Sequence, residues 1–146
     1  MPVITKSTFM KMDASAFVAD QGLIESLKSH ATRVDCGEDR VLFNQGDAPT
    51  GLYIFCGGEV KLTMTSPLGE MVMNMPAAVG SLLGLPAVIG NVGYSLSATA
   101  KSGAKVSFVS HEEFSRVMLS DPSISVGVLR VLAAEVRTAR MALMEN

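Results

Sequence analysis

The sequence has no tryptophan, two histidines and two cysteines. Two thiols, Cys36 and Cys56, are too few for a disulfide framework, a four-cysteine zinc site or a four-cysteine iron–sulfur cluster. His30 and His111 stand in opposite flanks of the chain, neither with a ligand partner of the right kind at local spacing. No metal is expected. Charge is scarce: 18% of the 146 residues are charged against 48% hydrophobic, which excludes a disordered chain. Twelve basic against fourteen acidic residues leave a net charge of −2, so no basic field draws in nucleic acid or anionic lipid. Between Lys61 and Lys101 there is no lysine or arginine at all. The N-terminal stretch lacks the long apolar run of a signal peptide, and a reduced, cytoplasmic location is the expectation.

Catalytic signatures are missing too. Val79-Gly-Ser81-Leu-Leu-Gly84 resembles a nucleophile elbow only in spelling, and no serine–histidine pairing can be inferred. Glu38-Asp39 and Glu112-Glu113 read as a solvated turn and a helix start. An enzyme is not expected. Met71–Gly90 carries a single charge-free run long enough for a membrane span, yet Pro76, Pro86, Gly80, Gly84 and Asn74 would break a continuous helix. It reads as buried loops and a short helix, so no membrane partner is expected.

What is present is ordered punctuation, in a length that suits one domain over residues 1–146. Residues 14–31 read as one or two short helices, with Asp13 able to cap, Phe17, Leu23, Ile24 and Leu27 apolar, and Gly22 an interruption. Residues 34–110 hold eleven of the thirteen glycines, spaced between short apolar runs: Arg40–Phe43, Leu52–Phe55, Glu59–Met64, Glu70–Met75, Ser95–Ala100 and Lys105–Ser110. Short strands with turns near every ten residues indicate an antiparallel sandwich or barrel. Residues 111–144 turn helical again. Ser110 is placed to cap the first helix, and Asp121-Pro122 opens a long second one with proline at its first position. Along that helix Leu129, Leu132, Val136, Ala139 and Leu143 fall at alternating spacings of three and four. Such a seam suits a partner helix, and so a homodimer; the other reading is that the stripe packs on its own β-domain.

The order helix, glycine-punctuated roll, long helix resembles the effector domain of the Crp/Fnr transcription regulators, the cyclic-nucleotide-binding-like fold. The resemblance rests on Arg40-Val-Leu-Phe43, Gln45-Gly-Asp47, Leu52-Tyr-Ile54, Gly58-Glu-Val-Lys-Leu62, Val79-Gly-Ser-Leu-Leu-Gly-Leu-Pro86, Tyr94-Ser-Leu-Ser-Ala98 and Leu132-Ala-Ala-Glu-Val136, and covers roughly residues 14–144. It implies a mainly β fold with flanking helices, a double-stranded jelly-roll closed by a dimerisation helix. Gly46 and Gly58 would sit where strands reverse. It also implies a regulatory domain that senses a small-molecule effector. DNA contact would come only through a helix-turn-helix domain, which in the family begins where this sequence stops. A fragment of a longer regulator and a stand-alone module acting on a protein partner both fit.

The ligand site is where the chain departs from the family pattern. Cyclic-nucleotide binders hold the ribose with the glutamate of a "G-E" pair and the cyclic phosphate with a downstream arginine. Here those positions read Gly80-Ser81 and Tyr94-Ser95. A buried anion without a counter-charge is costly. An ordinary cyclic nucleotide is therefore disfavoured, and the effector is left unidentified. By the resemblance, the ligand-facing residues are Val79, Gly80, Ser81, Leu82, Leu83, Tyr94 and Ser95, with Thr138 and Arg140 from the long helix. The apolar lining is Met73, Met75, Val79, Leu82, Leu83, Leu85 and Leu96. Two alternatives remain: the same fold as a non-sensing interaction or dimerisation module with a filled pocket, and a cyclic-nucleotide binder with an atypical phosphate cassette.

Overall fold

The structure is a computed structural model and describes residues 17–144. Helix α1 (Gln21–Lys28) leads into strands β1 (Thr32–Val34), β2 (Arg40–Phe43), β3 (Gly51–Gly57), β4 (Val60–Thr65), β5 (Met71–Pro76) and β6 (Leu82–Leu83). Helix α2 (Leu85–Gly90), strands β7 (Ser97–Ala100) and β8 (Lys105–Ser110), and helices α3 (His111–Ser120) and α4 (Pro122–Met144) complete it. The strands form two antiparallel four-stranded sheets, ordered β1-β8-β3-β6 and β2-β7-β4-β5. This is the expected jelly-roll with flanking helices.

The two sheets face each other, and helices cover the outer face of the first. Strand β3 shows why its sequence does not alternate. Leu52 and Ile54 enter a core shared with α1, α3 and α4, while Phe55 enters the core between the sheets. All three are fully buried. A strand covered on both faces reads as a continuous apolar run, and each such side chain contributes about 1.5–3 kcal/mol by leaving water. Strand β6 straddles the same divide. Leu82 belongs to the helix-side core and its neighbour Leu83 to the core between the sheets.

The helix ends follow local chemistry. The Asp20 carboxylate caps α1 by accepting from the Leu23 N–H at 2.8 Å. Asp13, expected as a cap, lies outside the described residues. Gly22 was expected to interrupt the helix, yet it lies in the first turn of α1. Its cost of about 1 kcal/mol in a helix is outweighed by burial of Leu23, Ile24 and Leu27. Ser110 caps α3, its hydroxyl accepting from the Glu113 N–H at 3.1 Å. Pro122 opens α4, where its missing N–H costs nothing. Gly46 and Gly58 take φ of 90° and 84° at strand reversals, and at Gly58 a Cβ would stand 2.7 Å from the Ala104 Cα.

The run from Met71 to Gly90 resolves into β5, a turn, β6 and the short α2. Among the described residues, no single helix is long and apolar enough to cross a membrane. Helix α4 anchors on the domain through Ile124, Val128 and Val131, all buried. The apolar seam divides. Leu132 packs partly against the helix-side core, whereas Leu129, Val136 and Leu143 are 60%, 55% and 67% exposed. The side chain of Ala139 lies outside the described residues.

Candidate functional site

The pairing of β4 with β5 sets one wall of a cavity. Leu62 faces Met75 and Met64 faces Met73 in register. Residues two apart on a strand share a face, so these four side chains line an open cavity of about 370 Å³. The opposite wall runs from Ser81 through Leu82, Leu83 and Gly84 to Pro86 and Ala87. Phe17, Phe43, Tyr94, Ser95 and Leu96 complete the roll's share, and α4 contributes Glu135. The volume lies at the low end of the roughly 300–1,000 Å³ of small-molecule pockets.

Backbone geometry at the second wall leaves little slack. The Gly80 N–H donates to the Phe55 carbonyl oxygen at 2.7 Å, and its own carbonyl accepts from the Ala19 N–H at 3.0 Å. Ser81 is buried; its hydroxyl donates to the Ala78 carbonyl oxygen at 2.6 Å. Gly84 takes φ of 87°, and a Cβ there would stand 2.8 Å from the Tyr94 ring. Side chains rarely adopt that backbone conformation, and none would fit against the ring.

Tyr94 acts as a bolt. Its ring stacks on Phe43 with centroids 4.0 Å apart. Its hydroxyl donates to the Gly51 carbonyl oxygen at 2.7 Å and accepts from the N–H groups of Thr50 and Gly51 at 3.1 and 3.2 Å. The main chain of Tyr94 also bonds the turn after β2, through Gly46 N–H to its carbonyl and its own N–H to the Asp47 carbonyl.

The structure brings Ser81, Leu82, Leu83, Tyr94 and Ser95 together around the cavity, with Met73, Met75 and Leu96. Four other residues named from the sequence stand outside its lining. Val79 is 56% exposed, Gly80 packs against Val18 and Ile24, Thr138 bonds the Ala134 carbonyl, and Arg140 is exposed. Leu85 is fully buried in the helix-side core instead of facing the cavity, because α2 turns it inward. As lining residues, Phe17, Phe43, Leu62, Met64, Gly84, Pro86, Ala87 and Glu135 were not expected from the sequence. The signal for Met64 was its place two residues after Leu62 on one strand; nothing local distinguishes Glu135 from other acids on an amphipathic helix.

Among the described residues that line the cavity, Glu135 is the charged one. Other ionic contacts lie away from the cavity. His30 Nδ1 stands 2.9 Å from Glu113 Oε2, joining the end of α1 to α3, and Arg116 Nε donates to Glu113 Oε1 at 3.0 Å. The Arg116 guanidinium, with His30 adding to it, holds the Glu113 carboxyl below the usual carboxylate range. Burial raises the Cys36 thiol above its ordinary value, as suits an inert core cysteine. Among the described residues, no three histidine, cysteine or acidic side chains are placed to hold a metal ion.

The fold is a jelly-roll domain with an open cavity in its roll. The sequence model of the cyclic nucleotide-binding domain matches residues 33–121, and the chain belongs to that family. Solved structures with the same fold include the catabolite activator protein of Thermus thermophilus, at 22% identity and TM-score 0.70, over 85% of this chain and 58% of that one. The N-terminal domain of a transcriptional regulator from Streptomyces coelicolor A3(2) matches at 24% identity and TM-score 0.65, over 84% and 85% of the two chains. The c-di-GMP-responsive global regulator CLP of Xanthomonas campestris matches at 19% identity and TM-score 0.62, over 86% and 60%. The chain thus spans less than two thirds of the length of the first and last of these. No curated protein matches its sequence. The resemblance holds in fold, and the family is that of the cyclic nucleotide-binding domain.

Proposed function

We propose that residues 1–146 form the ligand-sensing domain of a Crp/Fnr-type transcription regulator that is not a standard cyclic AMP binder. One observation carries this reading. The position that would pair with a cyclic phosphate is Tyr94, and its hydroxyl is engaged by Thr50 and Gly51 within the fold. Losing one partner of a buried charge-assisted contact costs on the order of 2–5 kcal/mol, or a few powers of ten in affinity. Ser81, Leu82, Leu83, Tyr94 and Ser95 are the contacts for the effector, and Val79 and Gly80 shape the turn that presents them.

Two copies pair through the Leu129, Leu132, Val136, Ala139 and Leu143 seam of α4. The exposure of Leu129, Val136 and Leu143 on an otherwise anchored helix supports this. Thr138 and Arg140, outside the pocket of their own protomer, then lie on the part of α4 nearest the second copy. Occupancy shifts the balance between two packings of the paired helices, because the effector binds one better than the other. DNA is contacted by a separate helix-turn-helix domain, in the cytoplasm.

The test is thermal unfolding with cyclic AMP and then cyclic GMP. No change in midpoint up to millimolar nucleotide is the expected result. A ligand at 100 times its Kd adds about 2.7 kcal/mol of stability. A rise of roughly 5–10 °C in the midpoint would therefore show that Ser81, Tyr94 and backbone amides replace the missing anchors, and would overturn the reading.

A further inference from the structure

We propose that Met64, Met73 and Met75, on the β4–β5 wall of the cavity, bind a soft monovalent metal ion of the copper(I) kind. Such a site stands whether or not the domain senses a small-molecule effector. Met64 and Met73 are opposite each other in register, and Met75 follows Met73 two residues on along β5. Directly opposed residues have Cβ atoms about 4.5–5.5 Å apart, and diagonal neighbours such as Met64 and Met75 lie within about 7–8 Å. Two steps along a strand span about 7 Å. Methionine is long, unbranched and freely rotatable, so three sulfurs at this spacing can meet at one point over the hairpin. All three side chains line the open cavity and are half-buried.

The donor chemistry selects the ion. A thioether sulfur is neutral and polarizable and carries no proton. It suits copper(I), whereas magnesium and calcium take oxygen ligands. Among the described residues no histidine, cysteine and acidic groups gather to hold a metal, but methionine lies outside that donor set. The rings of Phe43 and Tyr94 line the same cavity, and aromatic faces attract a cation without a charge of their own. Methionines that only fill gaps are enclosed by a core; these three keep part of their surface open on a cavity wall. Met71 makes the contrast. It completes a Met71-Val-Met73-Asn-Met75 run, yet the register slips between Met64 and Thr65. Met71 is 58% exposed and is not among the lining residues.

The experiment uses the full chain, labelled with carbon-13 at its methionine methyls, and silver nitrate in chloride-free buffer. Silver(I) is soft, monovalent and stays in one oxidation state. Each methyl signal reports its own thioether, so the thiols Cys36 and Cys56 can remain in place. Single methionine-to-leucine variants assign the signals at nearly constant volume. The Met64, Met73 and Met75 methyls are expected to move together and saturate, while the other methionine signals hold still. Copper(I), kept reduced with ascorbate under nitrogen, should move the same three, and magnesium none. Calorimetry on a chain carrying Cys36→Ala and Cys56→Ala then reads silver affinity without the thiols. Adding Met73→Leu should weaken binding at least about tenfold, a difference of about 1.4 kcal/mol, and adding Met71→Leu should leave it unchanged. Affinity should be equal at about pH 5.5 and about pH 8, whereas a histidine ligand would lose about tenfold at the lower value.

Three methyl signals that stay in place under excess silver overturn the site, and so does movement of one without the other two. Equal weakening by Met71→Leu and Met73→Leu puts the ion on the outer surface and overturns the cavity placement. A tenfold loss at the lower pH makes histidine the ligand and overturns the thioether set. Should the double cysteine variant fail to fold, the methyl spectra decide alone. In Met73→Leu, the Met64 and Met75 signals should then need at least about tenfold more silver to move; an unchanged titration overturns the proposal.

Discussion

The hydroxyl of Tyr94 and the backbone of Gly51 are bonded in both directions, the hydroxyl donating to the carbonyl at 2.7 Å and accepting from the N–H at 3.2 Å. Glycine 51 begins β3, and Tyr94 lies forty-three residues on, next to the cavity. This single side chain therefore pins the start of a central strand to the pocket rim. Tyr94→Phe keeps the ring stack on Phe43 and leaves those backbone groups unsatisfied. A loss of about 1–3 kcal/mol in urea unfolding is expected. Tyr94→Arg, which places there the residue that the resemblance implies for cyclic-nucleotide binders, is expected to lose more and to gain no cyclic AMP affinity, because the guanidinium inherits a seat shaped for a ring. A gain in nucleotide binding by calorimetry would contradict this.

Gly84 meets two constraints at once, a φ of 87° and the Tyr94 ring 2.8 Å from where a Cβ would stand. Gly69, in the β4–β5 turn, has a similar φ of 86° with open space around it. Each alanine variant bears the backbone strain, about 1–2 kcal/mol. Only Gly84→Ala also displaces the ring. Its denaturation midpoint should fall clearly below that of Gly69→Ala, and equal midpoints would mean that Tyr94 yields freely.

The seam of α4 separates two roles that one periodic pattern concealed. Leu129→Asp and Val136→Asp alter exposed positions, and each should convert a dimer to a monomer in sedimentation with the monomer's fold intact by circular dichroism. Leu132→Asp places a carboxylate against the helix-side core and should also lower stability, by about 2 kcal/mol or more. A dimer that persists in Val136→Asp would move the interface off this face.

Acid sensitivity follows from Glu113. Its carboxyl is held below the usual range by Arg116 first and His30 next. A carboxylate with a depressed folded-state pKa contributes stability that is fully present above its unfolded value, near 4.3, and is lost as pH falls through the folded value. Asp39 and Asp121 are depressed in the same sense by hydrogen bonds from Ser102 and Ser123. Melting temperature should therefore fall as pH drops from about 5 towards 3, and Glu113→Gln should flatten part of that slope. The effect is small, since the pair is well solvated. An identical slope in the variant would remove Glu113 from the account.

The β-roll was legible because glycine spacing and apolar runs encode turns and strands locally; β2 and β8 begin and end where the sequence placed them. Strands β1 and β6 were not legible. With three and two residues they carry too little pattern, and their pairing with β8 and β3 is a tertiary fact. The cavity was half legible. Met73, Met75, Leu82, Leu83 and Leu96 followed from the family pattern, whereas Leu85 was turned away by the helix it begins. Glu135 reaches the cavity only because α4 is laid across the domain by Ile124, Val128 and Val131, and that angle is written in packing, not in local sequence.

Leu82 and Leu83 are neighbours along the chain and belong to different cores. A single peptide bond is therefore the fulcrum between the side of the molecule that holds α4 and the side that holds the methionine wall. The peptide between them is planar, but the dihedrals on either side of it are soft, so what ties the two side chains together is the pairing of both residues with β3, Leu82 opposite Ile54 and Leu83 opposite Tyr53. The two cores thus share a hinge of two residues that only the sheet holds still.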